Sequence, residues 1–115
     1  MEELTQQKCV ACRADAPRVT DDELPGLIKQ IPDWQPISVN SVLQLTREFS
    51  FDDYVSSLSF TNAVANLAEE EDHHPLIHIN YKEVVIILFT HKINGLHEND
   101  FILASKCDLI LKSLI

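Results

Sequence analysis

Residues 69–91 read EEEDHHPLIHINYKEVVIILFTH and gather side chains suited to moving protons. His73 and His74 are adjacent, follow the acids Glu69, Glu70, Glu71 and Asp72, and precede Pro75; His91 closes a long apolar run. Neighbouring carboxylates favour a charged imidazole, and burial opposes it. A histidine held between those effects can act as a general acid or base near neutral pH. Glu69 and His73 are four residues apart, so they can face each other across the last turn of a helix. Pro75 favours an extended backbone at His74, so the two rings straddle the helix end and point differently. Imidazoles held apart in this way suit acid and base work across one small substrate.

Each feature has a plainer counterpart. Acids at a helix C-terminus oppose the macrodipole, at about 0.3–1 kcal/mol each, and a charge run alone reads as a solvated rim. Adjacent histidines alone read as surface residues, and His91 alone as a structural strand-end histidine. Asp100, in the first turn of the final helix, suits the dipole there without further purpose. Cys9-x-x-Cys12 has the spacing of half a zinc site, but no second CxxC or HxxxH follows. His78 and Asn80 share a strand face and offer a weaker pair. No metal is expected. Two glycines, Gly26 and Gly95, leave no phosphate loop.

Positioning these groups requires a compact scaffold. Thr20 to Glu23 reads as a capping box, followed by Leu24, Leu27, Ile28 and Ile31 at helical spacing until Pro32. Residues 35–39 form a weak strand and 42–51 a stronger one. Leu43, Leu45, Phe49 and Phe51 share one face of the latter, with Gln44, Thr46, Glu48 and Ser50 on the other. Asp52 is expected to cap a long helix to about Asp72, with Leu58, Phe60, Val64, Leu67 and Ala68 on its apolar arc. Strands over 76–81 and 83–91 follow, and a last helix over about 98–114. The final strand is apolar on both faces, which calls for cover on both sides; self-association supplies it economically. In the last helix Ile102 and Leu109 form a second apolar stripe, which suggests a subunit contact. The order is α-β-β-α-β-β-α, an α+β fold whose four-stranded, mainly antiparallel sheet carries three helices on one face.

At 115 residues, 45% hydrophobic and 23% charged, the chain is expected to hold one domain over 20–115 after a loosely ordered leader, 1–19, bearing the CxxC. A net charge of −9 disfavours nucleic acid and anionic membranes as partners. No apolar run approaches the ~20 residues of a membrane span. Three cysteines and no signal-peptide pattern fit the cytoplasm.

Together Glu69, His73-His74-Pro75, Tyr81, His91 and Asp100, in that order and spacing, resemble the pattern of the pterin-4a-carbinolamine dehydratases. The resemblance runs from about Thr20 to the C-terminus and includes THKINGLHENDF around His91; the CxxCRADAP leader looks like that of bacterial members. Ile77 stands where animal members carry a tryptophan, and His97 where the last helix usually has a Ser or Thr cap. The family implies an α+β fold assembling as a homodimer or homotetramer, and a hydro-lyase reaction. Its substrate is 4a-hydroxytetrahydropterin and its product quinonoid dihydropterin, which recycles the pterin of an aromatic amino-acid hydroxylase. No cofactor is implied, because the pterin is the substrate. By the same resemblance His74 and His91 serve the 4a-hydroxyl and His73 removes the N5 proton. Glu69 and Asp72 orient and tune the rings, and Asp100 supports the His91 loop. Pro75, Tyr81, Thr90, Lys92 and Ile93 contact substrate, with the 90–93 backbone holding the ring. A non-catalytic dimerisation or coactivator-type module is the alternative, since animal members also partner a homeodomain transcription factor.

Overall fold

The computed structural model describes residues 3–9 and 17–114. The capping box forms: Thr20 donates both its amide and its hydroxyl to Glu23 Oε1 at 3.0 Å, and the Glu23 amide donates to Thr20 Oγ1 at 3.2 Å. Helix α1, Leu24–Ile28, is shorter than the apolar spacing suggests. Beyond it the bonds tighten to three-residue turns, with Gln30 donating to Leu27, Ile31 to Ile28 and Trp34 to Ile31. Pro32 has no amide to continue the helix. The apolar pattern still holds, because Leu27, Ile31 and Trp34 are all in the core.

Strands β1 (Gln35–Val39) and β2 (Val42–Ser50) form a hairpin closed by Asn40 and Ser41. Both turn residues have positive φ, 50° and 67°, the handedness that a two-residue hairpin loop requires. β3 (Leu76–Ile79) and β4 (Glu83–Leu88) complete a sheet of order β1-β2-β4-β3, antiparallel throughout. Alternation places Leu45, Phe49, Val84, Ile86 and Leu88 on the core face. Arg47 shares that face. Its guanidinium donates to Asp108 at 2.6 Å and lies 4.4 Å from the Phe49 ring centroid. Trp34 Nε1 donates to the same carboxylate.

Helix α2, Tyr54–Glu71, is capped by Asp53 rather than Asp52: Asp53 Oδ1 accepts the Ser56 amide at 2.8 Å. Phe60, Val64 and Ala68 face the core, while Leu58 remains 42% exposed and lies off the buried arc. Helix α3, Glu98–Leu114, buries Phe101, Ile102, Leu103, Ala104 and Cys107. Ile102 therefore belongs to the chain's own core and Leu109 is exposed, so the two do not make one outward stripe. The difference arises because the first turns of α3 are buried all round.

Two further expectations change. Residues 3–9 do not behave as a loose leader: Leu4–Gln6 form a 3-10 turn packed on α3, Leu4 is 1% exposed, and its amide donates to Gln30 Oε1. Cys12 lies outside the described residues. β4 also ends at Leu88, before His91, and β3 at Ile79. The sheet face away from the helices carries Ile37, Val85 and Ile87 half-buried and Leu76 exposed, and among the described residues no helix covers it. No helix in the described residues is long and apolar enough to cross a membrane.

Candidate active site

Helix α2 ends in a left-handed residue, Asp72, with φ 51°. The His73 amide then donates to Ala68 O at 3.1 Å, the six-to-one bond of a Schellman ending. Glycine usually fills such a position; an L-residue there costs about 1 kcal/mol. The tight reversal turns His73 inward and His74 outward, as Pro75 suggested. His73 is 6% exposed, whereas the His74 side chain is 56% exposed.

The carboxylate partners differ from the helical-spacing expectation. Glu69 pairs with His74, Oε1 to Nε2 at 2.7 Å. His73 Nε2 instead contacts Asp100 Oδ1 at 2.6 Å across 27 residues of chain. The reason is that the helix ends before His73, so i,i+4 geometry no longer applies there. Asp100 is fully buried, and its Oδ2 accepts the Thr90 hydroxyl at 2.9 Å and the His97 amide at 3.0 Å. One buried carboxylate thereby joins the end of α2, the segment after β4 and the start of α3. A charged acceptor makes such bonds roughly twice as strong as neutral ones. With its Nε2–H given to Asp100, a protonated His73 carries its second proton on Nδ1.

After β4 the chain makes a small closed loop. Thr90 and Gly95 exchange backbone bonds, and His91–Ile93 form a 3-10 turn ending at Asn94, φ 48°. This turn presents His91 and Lys92 outward and buries Ile93. The His91 ring rests on Phe89, centroids 4.3 Å apart. From the N-terminal side, Arg18 Nε donates to Ile93 O at 2.7 Å, its alkyl chain lies over Gly95, and the Val19 amide donates to Leu96 O.

Asp72, His73, His74, Phe89, Thr90, His91 and Lys92 line one open cleft of about 460 Å³, within the size range of small-molecule sites. The three histidines thus share a cavity. Tyr81 does not join them. It is 66% exposed in the turn at the far end of the β3–β4 hairpin, beside Lys82. Pro75 and Ile93 do not line the cleft: Pro75 follows the histidine pair, and Ile93 is buried with its carbonyl accepting Arg18 Nε. Ile77 packs against the core. Among the described residues no three of His, Cys, Asp and Glu are grouped to hold a metal ion.

Phe89, His97, Arg18 and Glu71 were not singled out as site residues by sequence reasoning. Phe89 had a visible signal, an aromatic two residues before a histidine. Glu71 had none. Its Oε1 accepts the Cys9 amide at 3.0 Å and Lys106 Nζ at 2.9 Å, tying the N-terminal segment and α3 to the end of α2. Burial pushes the Glu71 carboxyl up, but those hydrogen bonds outweigh it and hold the group below the usual carboxylate range. Burial, then the Glu71 charge, pushes the Cys9 thiol up to about 12.

A helix-backed antiparallel sheet carries, at one end of its strands, an open cleft lined by three histidines, one of them held by a buried acid, side-chain types suited to moving protons on a small molecule. The pterin 4 alpha carbinolamine dehydratase family model matches residues 17–110, and the chain belongs to that family. Relatives bearing the name pterin-4-alpha-carbinolamine dehydratase occur in Saccharophagus degradans, 49% identical over 94% of this chain and 96% of that one, and in Marinobacter nauticus, 50% identical over 94% and 97%. A third, from Nitrosococcus oceani, is 47% identical over 97% and 99%. A transcriptional coactivator/pterin dehydratase from Brucella melitensis shares the fold at 33% identity, with TM-score 0.74 over 82% of this chain and 98% of that one. A pterin dehydratase-like RuBisCO assembly factor of the alpha-carboxysome matches at 26% identity, TM-score 0.59, over 68% and 88%. The chain is accordingly a hydro-lyase of the pterin carbinolamine class.

Proposed function

We propose that the 69–100 cleft dehydrates 4a-hydroxytetrahydropterin to quinonoid dihydropterin by histidine acid–base catalysis. The observation that carries this reading is the convergence of His73, His74 and His91 on one cavity, with two of the rings set by carboxylates. The reaction removes the N5 proton and the 4a-hydroxyl and leaves a C4a=N5 double bond and water. His73 is the base at N5: the Asp100 anion at 2.6 Å supplies a counter-charge for the imidazolium formed. His74 and His91, both exposed to the cleft, protonate the departing hydroxyl. Each positioned group contributes about 10²–10⁴-fold. The 90–93 turn holds the pterin ring and Lys92 borders its rim.

The reaction as written needs no metal or redox group, and its product feeds the reductive recycling of an aromatic amino-acid hydroxylase's pterin. Self-association through the open sheet face accounts for the apolar outer side of β4. An Ile102–Leu109 stripe gives the interaction-module alternative no support, because Ile102 is 3% exposed within its own core; the coactivator/pterin dehydratase relative keeps it as the second reading. The test is stopped-flow dehydration of synthetic carbinolamine by the double variant His74→Ala, His91→Ala. It should stay folded with little catalysis above the spontaneous reaction; near-normal rates would defeat the assignment.

A further inference from the structure

His97 occupies the N-cap of α3, and it caps as an imidazole. The Asn99 amide donates to His97 Nδ1 at 3.0 Å, the His97 amide donates to Asp100 Oδ2 at 3.0 Å, and the Asp100 amide donates to His97 O at 3.0 Å. This is the reciprocal logic of a capping box, with a ring nitrogen in place of a hydroxyl. The acceptor role settles the tautomer: Nδ1 must carry a lone pair, so the proton sits on Nε2. His97 is 8% exposed, so water does not readily replace the bond. The other half of the box is Asp100, the same carboxylate that holds His73.

We infer that His97 is a positioning residue which, as a neutral-imidazole cap, fixes Asp100 against His73, and that protonating His97 releases that hold. The inference rests on the acid–base reading of His73. A proton on Nδ1 turns the acceptor into a donor facing the Asn99 N–H and places a cation at the positive end of a helix. Asp100, which accepts the His97 amide on Oδ2, already has its Oδ1 taken by His73.

The charged and titratable groups around the cap come from every neighbouring element. Glu98, Asp100 and Lys106 stand on α3, Glu71 and His73 at the end of α2, and Arg18, His91 and Lys92 about the loop. Cys9 comes from the N-terminal segment, its Sγ 3.6 Å from Asn99 O. Of these side-chain types only histidine ordinarily changes charge between pH 5 and 8, and the raised Cys9 thiol stays protonated there.

The test compares His97→Ser, His97→Ala and the wild type in kcat–pH profiles and in ¹⁵N spectra of the Asn99 amide and the His73 ring. A serine hydroxyl accepts from Asn99 at any pH. His97→Ser should therefore match the wild-type kcat to within twofold at pH 8, with an acid limb shallower or shifted to lower pH. At pH 8 His97→Ala should fall roughly fivefold below the wild type, the usual effect of an absent cap carried into the rate, and the two should converge in acid, where the wild-type cap is itself released. The wild-type Asn99 amide should move with one histidine titration that His97→Ser abolishes. Three coincident pH profiles, or an Asn99 amide indifferent to that titration, would overturn the inference. If instead no variant dehydrates carbinolamine, the catalytic reading has failed. In that case the Asn99 amide still decides the cap: it should follow a titration in the wild type and lose that response in both His97→Ser and His97→Ala.

Discussion

Replacing Asp100 by Asn is the sharpest perturbation of this site, because it changes one charge without changing shape. Two donors, the Thr90 hydroxyl and the His97 amide, converge on Oδ2, so the amide oxygen of Asn is drawn to that position. Its NH₂ then faces His73 Nε2, which donates at 2.6 Å to Asp100 Oδ1 in the native chain. Two donors oppose each other, and His73 must move its proton to Nδ1 or break the contact. A hydrogen bond to a charged group contributes about 1.5–3 kcal/mol. If that support is felt in the transition state, kcat should fall roughly 10- to 150-fold. Stopped-flow dehydration gives the rate, and circular dichroism verifies the fold. In combination with His73→Ala, the Asp100→Asn loss should largely vanish, because the carboxylate acts through the ring. A folded Asp100→Asn enzyme within twofold of wild type, or losses that simply multiply, would refute the coupling.

Acid stability depends on carboxylates held below their ordinary range: Glu71 as described, Glu23 by its Thr20 bonds, and Asp53 by its Ser56 bonds. A folded-state pKa below the unfolded one gives stability that is present above the unfolded value and lost as pH falls through the folded one. The melting temperature should therefore be flat from neutral pH to about 4.5 and drop below it, and Glu71→Gln should reduce that drop. With Cys9 near 12, alkylation of native Cys12→Ser protein at pH 8 should proceed with a thiolate fraction of about 10⁻⁴. Rapid labelling of Cys9 before unfolding would contradict its burial. At Asp72, φ 51°, glycine should leave the melting temperature within ~3 °C, because relief of the left-handed strain offsets lost chain stiffness. Asp72→Val should lower it by about 5 °C; equal melting temperatures would argue against that backbone.

The order of elements was legible because each carries its own period or punctuation. The Thr20–Glu23 box, the alternation of β2 and the apolar face of α2 each point to one structure and agree with one another. What misled the reading was local. Asp52 and Asp53 are both good caps, and only the Ser56 amide chooses between them. Glu69 and His73 have helical spacing, but the left-handed Asp72 ends the helix between them, so Glu69 meets His74. Convergence of the three histidines needed tertiary structure: His73 and Asp100 are 27 residues apart, and no local pattern encodes that approach. Tyr81 belongs to the sequence motif, yet the hairpin carries it to the opposite end of the sheet. The leader looked loose because a single buried residue, Leu4, has no periodicity to betray it.

The sheet face that no described helix covers has a bearing on handling this protein in solution. Ile37, Val85 and Ile87 make it adhesive, while a chain charge of −9 makes identical copies repel at a distance. Ionic strength tilts that contest, since at 0.1 M the repulsion fades beyond about 10 Å whereas apolar attraction persists. Sedimentation in dilute buffer would then understate any tendency of copies to settle on this plane, and added sulfate would reveal it.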